Sequence, residues 1–477
     1  MSNGIIRSGL VLLLTLGCAA AGLVVTAGAM AQEQQQQPAY TYAEYNAYTA
    51  ATKETNLEQR IKLLDDFVSK FPNSTLMPYV YQTYYQTYNQ LKQYDKAIEY
   101  ADKLVDSTDK TVDNGMRLTA IYAREVAFNY SFDEKAPDAT AKAQKAHDDA
   151  VLGLKLLDQI VKPANTPQEN FDKQKQTVAG LFTYTEGASA LALKNYPEAE
   201  KAFHTSLTGD PNNAVTYFRL GLAYLSQAKD EAAAAPSPAT TPPAATPPAG
   251  ATPVAATQAP LPGPSAGQDD YLKGFWALAR SIALRGPTEA QVRTYLQNQM
   301  LVFQKTGCQD LLTAQMNDLL QQATSTTSID PPATYSIPSG AQLSQYLQST
   351  NLFNIMQDLQ SGGDRAKFVW LAVCGNEFPD VPAKVIEAAQ SADGMDFHMF
   401  SGATPADIQG ATAANEEVKV VNQPDAQRVA KDNIVRFTGT LASYDPAPNF
   451  MLHWDKASIN VADIPAATAK KGRGERQ

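Results

Sequence analysis

The sequence predicts a mainly α protein, an array of paired helices carrying one long low-complexity insert and ending in a small β domain. Three observations predict it. Apolar residues recur at spacings of three and four from about Tyr42 to Lys229, and again from Asp269 to about Val373. Between these runs, from about Glu231 to Gly267, the chain is almost entirely Ala, Pro and Thr. From Val381 onward the texture becomes alternating and β-branched, punctuated by turn signals such as Asp393-Gly394 and Asp445-Pro446.

Composition bounds the reading. The chain of 477 residues has room for about two to four domains. Its 44% apolar and 18% charged residues suit a folded globular chain. The formal charge is −10, and an acidic chain is repelled by phosphate backbones and anionic membrane surfaces. No nucleic-acid partner is expected.

Taken in order, residues 1–31 read as an export signal. Arg7 supplies the positive start, Leu10-Val11-Leu12-Leu13-Leu14-Thr15-Leu16 the apolar core, and Ala29-Met30-Ala31 an A-x-A cleavage site before Gln32. Arg7 is the only charged residue among the first 31, so cleavage takes the formal charge from −10 to −11. The alternatives are a retained anchor, since the apolar run is long enough to span a bilayer, and a lipoprotein. Thr15-Leu16-Gly17-Cys18 resembles a lipoprotein box but lacks the usual Leu three places before the Cys. Membrane contact is expected only if this segment is retained, and the expected location is periplasmic or secreted. Residues 32–40 form a polar spacer. Residues 41–230 carry the first helical array. Residues 231–268 form a linker whose prolines forbid helix interiors and whose few large apolar side chains cannot offset ordering entropy. Residues 269–375 resume the helical pattern, 376–462 form the β domain, and 463–477 are a basic, Gly-rich tail. Beyond Cys18, only Cys308 and Cys374 remain. An oxidising compartment would allow them to pair, and two buried thiols are the alternative.

Repeats within the helical array set its architecture. Asn195-Tyr196-Pro197-Glu198-Ala199-Glu200-Lys201-Ala202-Phe203 is followed by Asp210-Pro211-Asn212-Asn213. Ala199, Phe203 and Pro211 have the spacing of small residue, aromatic and closing proline in a tetratricopeptide repeat. Tyr217, Leu220, Gly221 and Tyr224 then resemble the first helix of the next repeat. Tyr94-Asp95-Lys96-Ala97-Ile98-Glu99-Tyr100-Ala101 resembles a second helix, preceded by an aromatic stripe of Tyr81, Tyr84, Tyr85 and Tyr88. Arg60 to Val68 with Phe71-Pro72-Asn73-Ser74 resembles another second helix and its stop, and a weaker pair lies near 113–130 and 138–161. Glu186, where the family prefers an aliphatic residue, and the missing closing proline in the unit at 78–109 depart from the pattern. The helix after Tyr217 lacks its partner at once. Tyr271-Leu272-Lys273-Gly274-Phe275-Trp276-Ala277-Leu278-Ala279-Arg280 is read as that partner, so the linker becomes a loop inserted within one repeat, at little closure cost.

The resemblance implies a TPR-like α-solenoid whose first helices line a concave groove. Carried over residue by residue, it places Tyr79, Gln82, Gln86 and Asn89 on the groove in one repeat, and Tyr184, Phe218 and Leu222 in later ones. Core packing is the alternative for Tyr184 and Phe218. A protein segment would dock there.

Five strands are drawn in the β domain, at 383–388, 395–400, 417–421, 434–444 and 450–454, the last extendable to 459. Gly439 suggests a bulge or bend. Five short bent strands fit a small barrel resembling an OB-fold. Between residues 381 and 460, ten acids and six bases leave a charge of −4, which disfavours the nucleic-acid ligands of many such domains. A protein or cell-wall glycan suits it better, with Tyr444, Phe450 and Trp454 as candidate sugar platforms.

No H-E-x-x-H, G-x-S-x-G or P-loop motif occurs. Asp65-Asp66 and Asp148-Asp149 are adjacent pairs that point apart on a helix. His147 and His204 read as exposed, and His398 and His453 fall on strands of the β domain. Neither a metal nor any other cofactor is expected, and the protein is expected not to be an enzyme. The sequence reads as a non-catalytic, protein-binding scaffold of a bacterial cell envelope, with glycan binding through the β domain as the alternative.

Overall fold

The structure, a computed structural model, describes residues 40–234, 260–286 and 288–466. The expected export signal, almost all of the polar spacer, most of the linker and most of the basic tail lie outside the described residues. The chain divides into two units. One comprises residues up to 229 with 273–293 and 322–331, and the other comprises 230–272, 294–321 and 332 onward. The helical stretch 269–375 is therefore shared between them.

The first unit begins with α1 (Tyr42–Lys53), α2 (Leu57–Lys70), α3 (Met77–Gln90) and α4 (Tyr94–Val105). It continues with α5 (Asn114–Ser131), α6 (Ala139–Gln159), α7 (Gln168–Ala192), α8 (Tyr196–Gly209) and α9 (Ala214–Ala234). Several starts are set by side-chain caps. Thr41 forms a capping box with Glu44, and Asn56 and Asp113 accept from the third amide of their helices. From α1 to α8 each helix packs on its sequence neighbours, and α5 also touches both α3 and α7. The tyrosine stripe of α3 supplies much of this packing. Tyr84 is buried, stacks on Tyr100 at 4.1 Å, and donates its hydroxyl to Asp65 at 2.6 Å.

Two turns in this unit are built alike. In Leu91-Lys92-Gln93 the Gln93 amide donates to the Tyr88 carbonyl, five residues back, with Lys92 at φ 59°. In Leu193-Lys194-Asn195 the Asn195 amide donates to the Ala190 carbonyl, with Lys194 at φ 61°. Both are Schellman-type helix ends. Each is followed at the same distance by a tyrosine opening the next helix and a fully buried alanine, Ala97 and Ala199.

The partner of α9 is α10 (Gln268–Ala283). A Cβ on Gly221 would lie 2.9 Å from Leu278, and one on Gly274 would lie 2.7 Å from Leu225. The two glycines thus let the two backbones approach, and the helix after the insert packs where the sequence predicts.

The second unit contains most of α11 (Glu289–Gln304) and α12 (Gln309–Thr324), then α13 (Gly340–Ser349), α14 (Leu352–Gln360) and α15 (Gly363–Val373). Gly362 and Gly363, at φ 68° and 64°, make the break and restart between α14 and α15. A disulfide joins Cys308 to Cys374. Gly307 lies against the Cys374 carbonyl so closely that a Cβ would stand 2.8 Å from that oxygen. Asp358 is buried beneath a two-pronged Arg365 contact at 2.7 and 2.9 Å and accepts from the Tyr346 hydroxyl.

The chain then forms β1 (Glu377–Gln390), β2 (Gly394–Phe400), the short α16 (Pro405–Gly410), β3 (Glu416–Val421), β4 (Ile434–Asp445) and β5 (Met451–Ile459). These close into a barrel in the order β1-β2-β3-β5-β4, with β4 returning to β1. The β3–β5 pair is parallel and the others antiparallel. Val385, Phe397, Val418, Phe437 and Trp454 fill the interior, all at most 1% exposed. The register shifts at Gly439, where the sequence predicts a bend. β1 starts earlier than its alternation suggests, because Pro379 and Pro382 break that pattern. The strand still pairs with β4 across an irregularity between Phe378 and Val381.

Candidate functional site

The structure places Tyr79, Gln82, Gln86 and Asn89 along α3, at spacings of three and four residues that share one face. Tyr79 is 39% exposed beside Tyr48, and Gln82 and Gln86 are half-buried. Asn89 turns toward α5 and donates to the Ala123 carbonyl at 3.2 Å. Tyr184 lies on α7, its ring 6.0 Å from Phe203, and Phe218 and Leu222 lie half-buried on α9. The α3 residues and Tyr184 are not brought together, since α5 packs between their helices. Beside the apolar cores they share, α3, α5 and α7 are also joined by polar contacts. Tyr85 donates to Thr119 at 3.2 Å, and Asn129 donates to Thr185 at 2.7 Å.

The histidines differ from the exposed placement expected for them. His147 is mostly buried and contacts Glu198 at 3.0 Å, and His204 contacts the Tyr224 hydroxyl at 2.9 Å. Both sit where second helices face a neighbour, so the polar helix surface that suggested exposure is covered by packing. His398 and His453 both pair with Glu417 across the barrel wall. His453 also contacts the Glu417 carboxylate at 2.7 Å and Asp445 at 3.1 Å. Among the described residues, no group of three or more His, Cys, Asp and Glu side chains is placed to hold a metal ion.

A different site, missed in the sequence, lies among α4, α5 and α6. Every residue of α5 from Leu118 to Phe128 is buried, as in a helix covered on all sides. Arg124 and Glu125 sit inside that run, 4% and 1% exposed. Arg124 Nε lies 3.2 Å from Asp102, and its Nη2 lies 2.7 Å from Asp149. Lys145 also engages Asp102, at 3.0 Å. Arg124 Nη1 and both carboxylate oxygens of Glu125 have no hydrogen-bond partner within bonding geometry among the described residues. The Thr185 hydroxyl close to Glu125 already donates to Leu181 and accepts from Asn129.

These side chains line a cavity of about 250 Å³. Its apolar wall is Ile98, Phe128, Phe132 and Ala146, the two rings 4.7 Å apart. Burial pushes the Glu125 carboxyl well above the usual carboxylate range, and the nearby Asp149 adds to this against the opposing Arg124. Burial likewise raises Asp149 to about 6, opposed by Arg124 and Lys145. The arrangement offers a buried cation with an unbonded donor, a carboxyl group whose acid form burial favours, and an aromatic wall. A signal for it existed in the sequence, because Arg124-Glu125 interrupts the apolar run Ala120-Ile121-Tyr122-Ala123 before Val126-Ala127-Phe128.

The candidate sugar platform also shifts. Trp454 is 1% exposed inside the barrel and cannot stack on a ligand. Tyr444 and Phe450 are half-buried, and Trp370 lies 5.0 Å from Tyr444. No protein-family model, curated protein or solved structure matches the chain.

Proposed function

We propose that this chain is an exported, non-catalytic scaffold that holds a protein partner along the first helices of stacked, tetratricopeptide-like pairs. The observation that carries the reading is the repeated unit itself. The turns at Lys92 and Lys194 share one hydrogen-bond pattern and one left-handed residue, and both precede a tyrosine and a buried small residue. Repetition of one helix pair, with α5 touching both α3 and α7, is what an α-solenoid requires, because one pair alone cannot bury its apolar flank. The exposed Tyr79 and the half-buried Gln82 and Gln86 give one such helix a face for a docked segment. The Cys308–Cys374 disulfide suits an oxidising, extracytoplasmic compartment, in line with the export reading of residues 1–31. The barrel's strand order fits the OB-like reading.

The test is site-specific photocrosslinking in cell-envelope extracts. Probes at Tyr79 and Gln86 should trap one discrete protein, while a probe at Glu99 on α4 should not. Equal trapping from all three positions, or none, would sink the groove reading.

Glycan binding through the barrel is the second reading, favoured by the half-buried cluster of Trp370, Tyr444 and Phe450, since sugar faces stack on aromatic rings. Titrating the full chain with soluble peptidoglycan fragments should then alter tryptophan emission, and either Trp370→Phe or Tyr444→Ala should remove that change. A flat titration counts against it.

A further inference from the structure

We propose that the cavity among α4, α5 and α6 is a binding site for a small carboxylate with an apolar body, such as an aliphatic or aryl acid. This site is separate from the groove residues above, so it stands whether or not a protein docks there.

The reasoning starts from groups whose hydrogen-bonding capacity is unmet. Arg124 carries a free donor at Nη1, in a side chain only 4% exposed. Glu125 is 1% exposed, with neither oxygen bonded among the described residues. An ionised carboxylate so placed is costly to bury, and the acid form is the lower-energy state. Both residues line the cavity, so the acid form of Glu125 can offer an O–H and Arg124 an N–H to an occupant. Two donors call for a group that only accepts, and a carboxylate has two oxygens for the purpose.

Charge points the same way. Asp102 and Asp149 are already engaged by Arg124 and Lys145. Lys142, paired with Asp138 at 3.1 Å, and Lys145 also line the cavity, with Asp95 as a further carboxylate. An ammonium ligand would meet the Arg124 guanidinium directly, and an inorganic anion would leave the apolar wall uncovered. Ile98, Phe128 and Phe132 line the cavity, and burying an apolar body against them adds favourable free energy.

Isothermal titration calorimetry of the full chain with phenylacetate tests the proposal, with phenylacetamide and acetate as controls. Phenylacetate should bind at sub-millimolar affinity. The amide lacks the charge and acetate lacks the ring, so each should bind at least about tenfold more weakly. Arg124→Gln should abolish binding. Should that variant fail to fold, two milder ones still decide. Glu125→Leu removes the O–H while filling its space, and Phe132→Ala trims a half-buried ring at the end of α5. Each should keep the wild-type circular dichroism and weaken phenylacetate binding by about tenfold. The proposal is overturned by absence of binding to the folded wild type, by equal affinity for the amide, or by affinity unchanged in both milder variants.

Discussion

Glu416 opens β3 with its side chain turned inward, 0% exposed, and one of its oxygens accepts from Ser401 at 2.8 Å. Burial raises its pKa from 4.5 to about 8, opposed only by the Ser401 bond. The folded state thus holds this proton at pH values where the unfolded chain has released it. The stabilisation is complete below about 4.5 and is lost as pH rises toward about 8. Within that window the slope is about 1.4 kcal/mol per pH unit from this group alone. Glu416→Gln keeps an acceptor for Ser401 and cannot ionise, so urea melts between these limits should show a flatter pH dependence and a gain over wild type that grows with pH. Parallel curves would show that Glu416 ionises normally in the fold. Glu416, Val418 and Val420 share the buried phase of one strand, so extending the alternation by one residue reaches Glu416, which a strand drawn from Glu417 leaves out. Arg124 and Glu125 were hidden for a related reason, because a charge in a helical run reads as a solvent face until the tertiary fold covers that face too.

At the level of elements, local period was the legible signal and closeness was not. Helix spacing located most helices of the first array but did not draw α7, and alternation located β2, β3 and β4 to within one residue at each boundary, and β5 when extended to Ile459, while the prolines of β1 interrupt the pattern. Across the insert, the helical pattern that resumes at residues 271–280 is read as the partner of α9, and glycines sit where those two helices approach. Gly221 and Gly274 mark the crossing of α9 and α10, where a Cβ on Gly274 would also lie 3.3 Å from the Gly221 carbonyl oxygen. Gly274→Val forces both Leu225 and the opposing backbone to move. Overpacking of this kind costs about 1–3 kcal/mol, which outweighs the few tenths of a kcal/mol gained in helix propensity. Thermal melts should show the loss, and adding Leu225→Ala should recover part of it by making room. A Gly274→Val protein as stable as wild type would mean that the two helices do not cross there.

For the whole molecule, the sequence left the partition of 269–375 undetermined, because both halves carry the same helical period and only tertiary contacts divide them. It also left the cysteines open, since pairing depends on a distance no spacing encodes. In the fold their Cα atoms are 5.9 Å apart, within the range a disulfide spans. The bond ties the residues just before α12 to the end of α15, where the chain enters the barrel, across a sequence separation of 66. Closing a loop of that size removes unfolded-state entropy worth roughly 4 kcal/mol in the chain-entropy account. Against a domain of this size, such a loss lowers the melting temperature by roughly 10 °C. Reduction with dithiothreitol and the double substitution Cys308→Ser, Cys374→Ser should therefore produce the same fall, and the double variant should no longer respond to reductant. Thiol labelling of the unfolded, unreduced protein should find neither cysteine reactive. Two reactive thiols in material from an oxidising compartment would remove both the bond and the support it lends to an exported location.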